Sequence, residues 1–192
     1  MTSFSLFTGP MFSSKTTSLL HLIDRWKYQN KTSMAFKPKI DNRYTVDGVI
    51  VTHNDDHKSC FQVKNGKQIL ETIAASQTEV DCVAIDELFM IPGGGEACIE
   101  LFKKGYNVAV ASIDLSFAGE PFEEVLRVMP FCTEIIKCTA VCSVCQQDAR
   151  YTYKKNSVKF VEDFESTTDS IEVGGEELYE ARCQRHHPYM CN

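Results

Sequence analysis

The chain has 192 residues, 43% of them hydrophobic and 24% charged, with a formal net charge of −6. That length suits one ordinary domain with a small appendage, and the plentiful apolar residues exclude disorder and any need for disulfide staples. The acidic balance argues against a protein that coats duplex DNA or an acidic membrane surface.

Met1-Thr2-Ser3-Phe4-Ser5-Leu6-Phe7 has neither the basic region nor the long apolar run of a signal peptide, and no window approaches the ~20 apolar residues of a membrane span. The nine cysteines are odd in number and unevenly spaced. They read as reduced thiols and metal ligands rather than disulfides, so a cytoplasmic protein is expected.

In chain order, Ser3–Thr8 is a short strand ending at Gly9-Pro10, and Lys15–Tyr28 is a helix with Leu19, Leu20, Leu22, Ile23 and Trp26 on one face. Ser33–Lys37 is a strand stopped by Pro38, and Gly48–Thr52 is another. His53 and His57 fall in a polar loop. Gln68–Ser76 is helical, and Val80–Ile85 has the length and apolarity of a buried strand. Gly93-Gly94-Gly95 precedes a helix through Lys104 that stops at Gly105. Asn107–Ile113 is a further buried strand, and Pro121 opens a helix through Met129. Alternating strands and helices predict an α/β core with a mainly parallel sheet over residues 1–136. Residues 137–192 hold two Cys/His pairs around a polar stretch and read as a small metal-stapled domain, with Tyr151 and Tyr153 on a ribbon strand.

Three sites carry chemistry. Gly9, Pro10, Met11, Phe12, Ser13, Ser14, Lys15 and Thr16 match the phosphate-loop pattern GxxxxGK[ST], except that Ser14 replaces the second Gly. In such a loop backbone N–H groups face the phosphates, the Lys neutralises them, and the Thr hydroxyl ligates Mg²⁺. Asp86 and Glu87 follow a buried strand at the sheet edge where α/β proteins bind ligands. One carboxylate can serve the metal while the other takes a proton. Cys142, Cys145, Cys183 and His186 form two pairs that suit one closed, structural zinc site, with His187 a less regularly spaced competitor. That metal would pin both ends of the polar stretch between the pairs.

GPMFSSKTT (ending at Thr17), the acidic pair after a strand, DLSFAGEPF, CTAVCSVC and the ending IEVGGEELYEARCQRHH together resemble the thymidine kinase family of the phosphate-loop type, type II, over residues 4–187. The resemblance implies a RecA-like α/β core with a C-terminal zinc-ribbon and "lasso" domain. It implies transfer of the γ-phosphate of ATP, with Mg²⁺, to the 5′-hydroxyl of thymidine, giving dTMP for DNA synthesis. It further implies a homotetramer and dTTP as a feedback inhibitor, with no membrane or nucleic-acid partner. Glu87 is then the base that activates the hydroxyl, and Asp86 serves the magnesium.

Ile113, Asp114, Ser116, Phe117 and Phe122 would wall the nucleoside pocket, and Met90 would stand where the family has an aromatic over the thymine ring. A lasso from about Asn156 to Tyr179 would close over the base, with Val173 and Gly175 near the ring and Tyr179 near the sugar. Asp41 and Arg43 match a DxRY element near the phosphates. Two other readings of the same residues are an ATPase in which Glu87 activates water, and a non-catalytic zinc-ribbon binding module.

Overall fold

A computed structural model of the protein describes residues 2–41, 49–51, 57–155 and 174–190. In chain order the elements are β1 (Phe4–Thr8), α1 (Lys15–Tyr28), β2 (Ser33–Pro38), β3 (Val49–Val51), β4 (His57–Ser59), β5 (Phe61–Val63), α2 (Gly66–Ala74), β6 (Cys82–Asp86), α3 (Gly94–Lys103), β7 (Asn107–Ser112) and α4 (Glu123–Val128). There follow β8 (Glu134–Lys137), β9 (Ala140–Val141), β10 (Asp148–Ala149), β11 (Tyr151–Lys154) and β12 (Tyr179–Arg182).

Six strands form one sheet in the order β5-β2-β6-β7-β1-β8, and every pairing within it is parallel. Strands covered on both faces need no polar side, which is why β1, β6 and β7 are buried along their whole length. On one face Phe4, Leu6, Phe36, Val83, Ile85, Val108 and Val110 pack against α2, α3 and α4. On the other, α1 covers Phe7, Ala35, Ala84, Ala109 and Ala111 through Leu19, Leu20, Ile23 and Trp26, with Ile50 of β3 in the same cluster. The alanines leave a shallow bed, so the helix sits close to the sheet.

The expected α/β architecture is therefore present, with local corrections. β2 runs through Pro38, which still pairs with Val63 of β5, whereas pairing to β6 has ended at Phe36–Ile85. The missing proline N–H thus falls where one neighbour is already gone. His57 belongs to β4 rather than to a loop. Pro121 does not open α4; it bridges Leu115, and the helix begins at Glu123. β5 and the edge strand β8 were not expected. β8 extends the sheet beyond β1 and leaves Ile135 and Ile136 exposed.

After β8 the chain builds two short antiparallel ladders. β9 pairs with β10 around the turn that holds Cys142 and Cys145, and β11 pairs with β12. Ser143 N–H donates to the Ala181 carbonyl, tying the first ladder to the second. Arg182 fastens the unit: it pairs with Glu180 at 2.6 Å, donates to the His186 carbonyl at 3.0 Å and lies 3.6 Å over the Tyr153 ring. Among the described residues no helix is long and apolar enough to cross a membrane.

Candidate functional site

β1 delivers the chain to a loop at the carboxyl edge of the sheet, and α1 starts from that loop with its N-terminus facing the same edge. No acidic residue stands in the first turn of α1, while Arg25 and Lys27 occupy the last, so the positive end of the helix dipole is left for an anion. The loop is tightly curled. Gly9 has φ 138°, and a Cβ there would come within 2.3 Å of the Cys138 carbonyl oxygen, so only glycine fits. Ser13 Oγ donates to the Pro10 carbonyl at 2.8 Å, and the Lys15 ammonium donates to the same oxygen at 2.6 Å. Phe12 (φ 65°) and Ser14 (φ 59°) both take the left-handed conformation. The Ser14 departure from the sequence pattern therefore falls where glycine would be unstrained.

β6 brings Asp86 and Glu87 to this edge. Thr16 Oγ1 lies 3.1 and 3.3 Å from the two Asp86 carboxylate oxygens. Glu87 is buried and left-handed (φ 51°), and its N–H donates to Asp86 Oδ1 at 3.2 Å. Strained backbone of this kind concentrates where a side chain must be aimed. Asp41 is buried in the turn after β2, where its N–H donates to the Pro38 carbonyl at 3.1 Å. Burial raises the Cys60 thiol to about 11, with Lys37 pulling it down and Asp86 and Asp41 pushing it up, so these groups share one corner. Lys37, buried within β2, is a residue that sequence reasoning missed. A lysine inside an apolar strand was the available signal.

β7 ends beside this corner. Ile113 and Asp114 are buried, and Asp114 accepts from Lys137 Nζ at 2.8 Å. Ser116 Oγ accepts from the N–H groups of Ala118 and Glu120, shaping the turn that carries Phe117. The Lys154 ammonium lies 5.5 Å over the Phe117 ring, and Lys154 pairs with Tyr179 in the β11–β12 ladder, which brings Tyr179 to the same side. Met90 is buried one turn after Glu87. The aromatic contact here belongs to its neighbour: Phe89 and Phe122 have ring centroids 4.6 Å apart. Gly175 accepts from Tyr179 N–H at 3.0 Å. Arg43, Val173, His53 and most of the lasso stretch, residues 156–173, lie outside the described residues.

The ligand atoms of Cys142, Cys145, Cys183 and His186 all lie within 4.8 Å of one another. Cys145 and Cys183 sulfurs are 3.7 Å apart, and His186 Nδ1 is 3.7 Å from Cys142 and 3.2 Å from Cys183. A tetrahedral zinc with Zn–S ~2.3 Å and Zn–N ~2.0 Å has edges of about 3.5–3.8 Å, so this Cys₃His cluster could hold a zinc ion. Burial raises the Cys142 pKa, but hydrogen bonds from the backbone at Cys183, Cys145 and Val144 and from His186 outweigh it and bring the thiol to about 6. A thiolate is the form that binds metal. His187 is not a competitor. It is buried, and its Nε2–H donates to the Thr152 carbonyl at 2.9 Å. The cluster brings Cys145 and Cys183 together at the two ends of the stretch 146–182. Inside it, the ends of the lasso are clamped by the β11–β12 ladder, capped by Lys155 N–H donating to the Leu178 carbonyl.

The family model described as thymidine kinase matches residues 2–187. The chain is 34% identical to the thymidine kinase of Pyrobaculum aerophilum, over 95% of this chain and 96% of that protein. It is 33% identical to the thymidine kinase of Thermococcus kodakarensis, over 95% of this chain and 92% of that protein. With the thymidine kinase of Ureaplasma urealyticum serovar 10 it shares 30% identity, over 96% of this chain and 84% of that protein.

Proposed function

The chain belongs to the thymidine kinase family, and from that premise we propose that it transfers the γ-phosphate of ATP to the 5′-hydroxyl of thymidine, giving dTMP and ADP. The observation that carries the reading is the meeting of Thr16 with Asp86 at 3.1 Å, beside Lys15 and Glu87. Lysine, hydroxyl, metal-binding carboxylate and a second carboxylate are the parts that phosphoryl transfer needs in one place.

In this reading the loop 9–17 binds the ATP phosphates, with Lys15 exchanging the Pro10 carbonyl for phosphate oxygens. Thr16 and Asp86 would hold Mg²⁺, which supplies neutralising charge to the phosphates. Glu87 accepts the proton of the 5′-hydroxyl as that oxygen takes the γ-phosphoryl group, and ADP departs with the electron pair of the broken bond. Ile113, Asp114, Ser116, Phe117, Phe122 and Met90 form the nucleoside pocket. Residues 156–179, with Val173, Gly175 and Tyr179, close over it, while Asp41 and Arg43 stand near the phosphates.

The Cys₃His cluster would hold zinc in a structural role, because protein side chains would fill all four ligand positions. Division into a kinase domain (1–136) and a zinc domain (137–192), a cytoplasmic location, inhibition by dTTP and a homotetramer belong to the same proposal. The exposed Ile135 and Ile136 on the edge strand β8 support association with further copies. Measuring ATP consumption with and without thymidine tests the reading. A thymidine kinase consumes ATP only with the nucleoside, an ATPase consumes it without, and a binding module does neither.

A further inference from the structure

The loop between β1 and α1 is gripped from one side by the segment that follows β8. Met11 N–H donates to Thr152 Oγ1 at 3.0 Å, across 141 residues of sequence. Thr152 is only 4% exposed. Its carbonyl is held in turn by His187, which is 1% exposed and ringed by Tyr151, Tyr153 and Tyr189. His187 Nδ1 accepts from Tyr189 N–H at 3.4 Å, so the ring's Nε2–H is fixed toward Thr152. The next loop residue, Phe12, packs against Ala140, Cys142, Ala149 and Ala181.

Phe12 has φ 65°, a conformation that a bulky side chain resists and keeps only when its surroundings over-determine it. The surroundings include Thr152, which holds the N–H of the preceding Pro10–Met11 peptide, and the alanine cluster, against which the Phe12 side chain packs. Which way the loop's amides point is therefore set by the second half of the molecule as well as by α1.

We propose that Thr152 is a positioning residue for the nucleotide phosphates. Its hydroxyl fixes the Met11–Phe12 turn in the shape that presents the loop to ATP, and His187 fixes Thr152. The proposal rests on the reading of residues 9–17 as a phosphate-binding loop.

The test is calorimetric titration of a non-hydrolysable ATP analogue with Mg²⁺ into the full-length wild type, Thr152→Val, Thr152→Ser and Lys15→Ala, with zinc content measured on each. Valine keeps the shape and removes the hydroxyl. One neutral hydrogen bond is worth about a fivefold change in affinity, so Thr152→Val should bind the analogue roughly fivefold more weakly at unchanged zinc content. Thr152→Ser should bind as the wild type does. The Michaelis constant for thymidine in Thr152→Val should rise less than the ATP affinity falls. Wild-type affinity in Thr152→Val, equal losses for the two substrates, or failure of serine to restore binding would overturn the proposal. Lys15→Ala separates the two layers: if it too binds normally, the phosphate-loop reading itself has failed and this inference falls with it.

Discussion

Thr16 and Asp86 touch, although the strand that carries Asp86 lies two places along the sheet from the strand that leads to Thr16. β7 stands between β1 and β6, and two strand spacings amount to about 9.6 Å. The gap closes because α1 crosses β7 at close range. Ala111 pairs with Phe7 on one side and with Asp86 on the other, and Ala109 and Ala111 are both fully buried on the face that α1 covers.

Ala111→Val should therefore part the two residues. Two added carbons in a bed with no exposed surface lift the helix, at a cost of about 1–3 kcal/mol. Turnover should fall together with the denaturant midpoint. A valine variant with wild-type midpoint and wild-type turnover would show that α1 is not seated on that alanine.

Glu87→Gln keeps the size and burial of the side chain but removes its capacity to take a proton. Turnover should drop roughly 10²–10⁴-fold, the range for a positioned general base, with ATP affinity nearly unchanged. Single-turnover measurement at saturating ATP and thymidine decides the matter, and a loss below tenfold would reassign the base.

Ser14→Gly should stabilise the protein. The serine sits at φ 59°, ψ 27° and its side chain makes no capping hydrogen bond to α1. Relief of left-handed strain is worth ~1–2 kcal/mol, less the ~0.5–1 kcal/mol that glycine's freedom costs on folding. A net gain of about 0.5–1 kcal/mol raises Tm by roughly 1–4 °C in a chain of this size. An equal or lower Tm would mean that the loop holds serine without strain.

Removal of the metal should reach both substrates. The sequence alone suggests a far larger effect on thymidine than on ATP, through the lasso, but Cys142 also belongs to the cluster on which Phe12 packs. Treatment with a strong chelator should raise the apparent constants for ATP and thymidine together. Tm should fall by roughly 10 °C, from the ~4 kcal/mol that a ligand at a thousand times its Kd contributes. An ATP constant that stays put after verified zinc loss would uncouple the cluster from the loop.

Local pattern made much of this legible. α1 has the bounds its leucine spacing predicts, since the curled loop ahead of it and the polar run after it are both written in adjacent residues. β6 and β7 were readable as unbroken apolar runs, and the Cys₃His cluster from its two short spacings. What stayed hidden depends on neighbours remote in sequence. β8 is a four-residue edge strand, exposed throughout, so neither alternation nor apolarity marks it. Thr152 and His187 are single polar residues whose roles exist only once β11 reaches the loop. The alanines of β7 look unremarkable until the sheet order places a helix over them. The contact between Phe89 and Phe122 likewise joins residues far apart in sequence and exists only once the fold brings them together.

The pairing of β1 has a consequence in time. β1 is made well before its partners, which are residues 107–112 and 134–137. At about 5–20 residues per second, a nascent chain carries Phe4, Leu6 and Phe7 without a neighbouring strand for roughly 5–20 s. Translation must pass Thr152 before the tip of the loop meets its last partner. A chain halted before β7 offers chaperones a bare apolar strand, so early stop codons in this protein yield clients for quality control rather than partial enzymes.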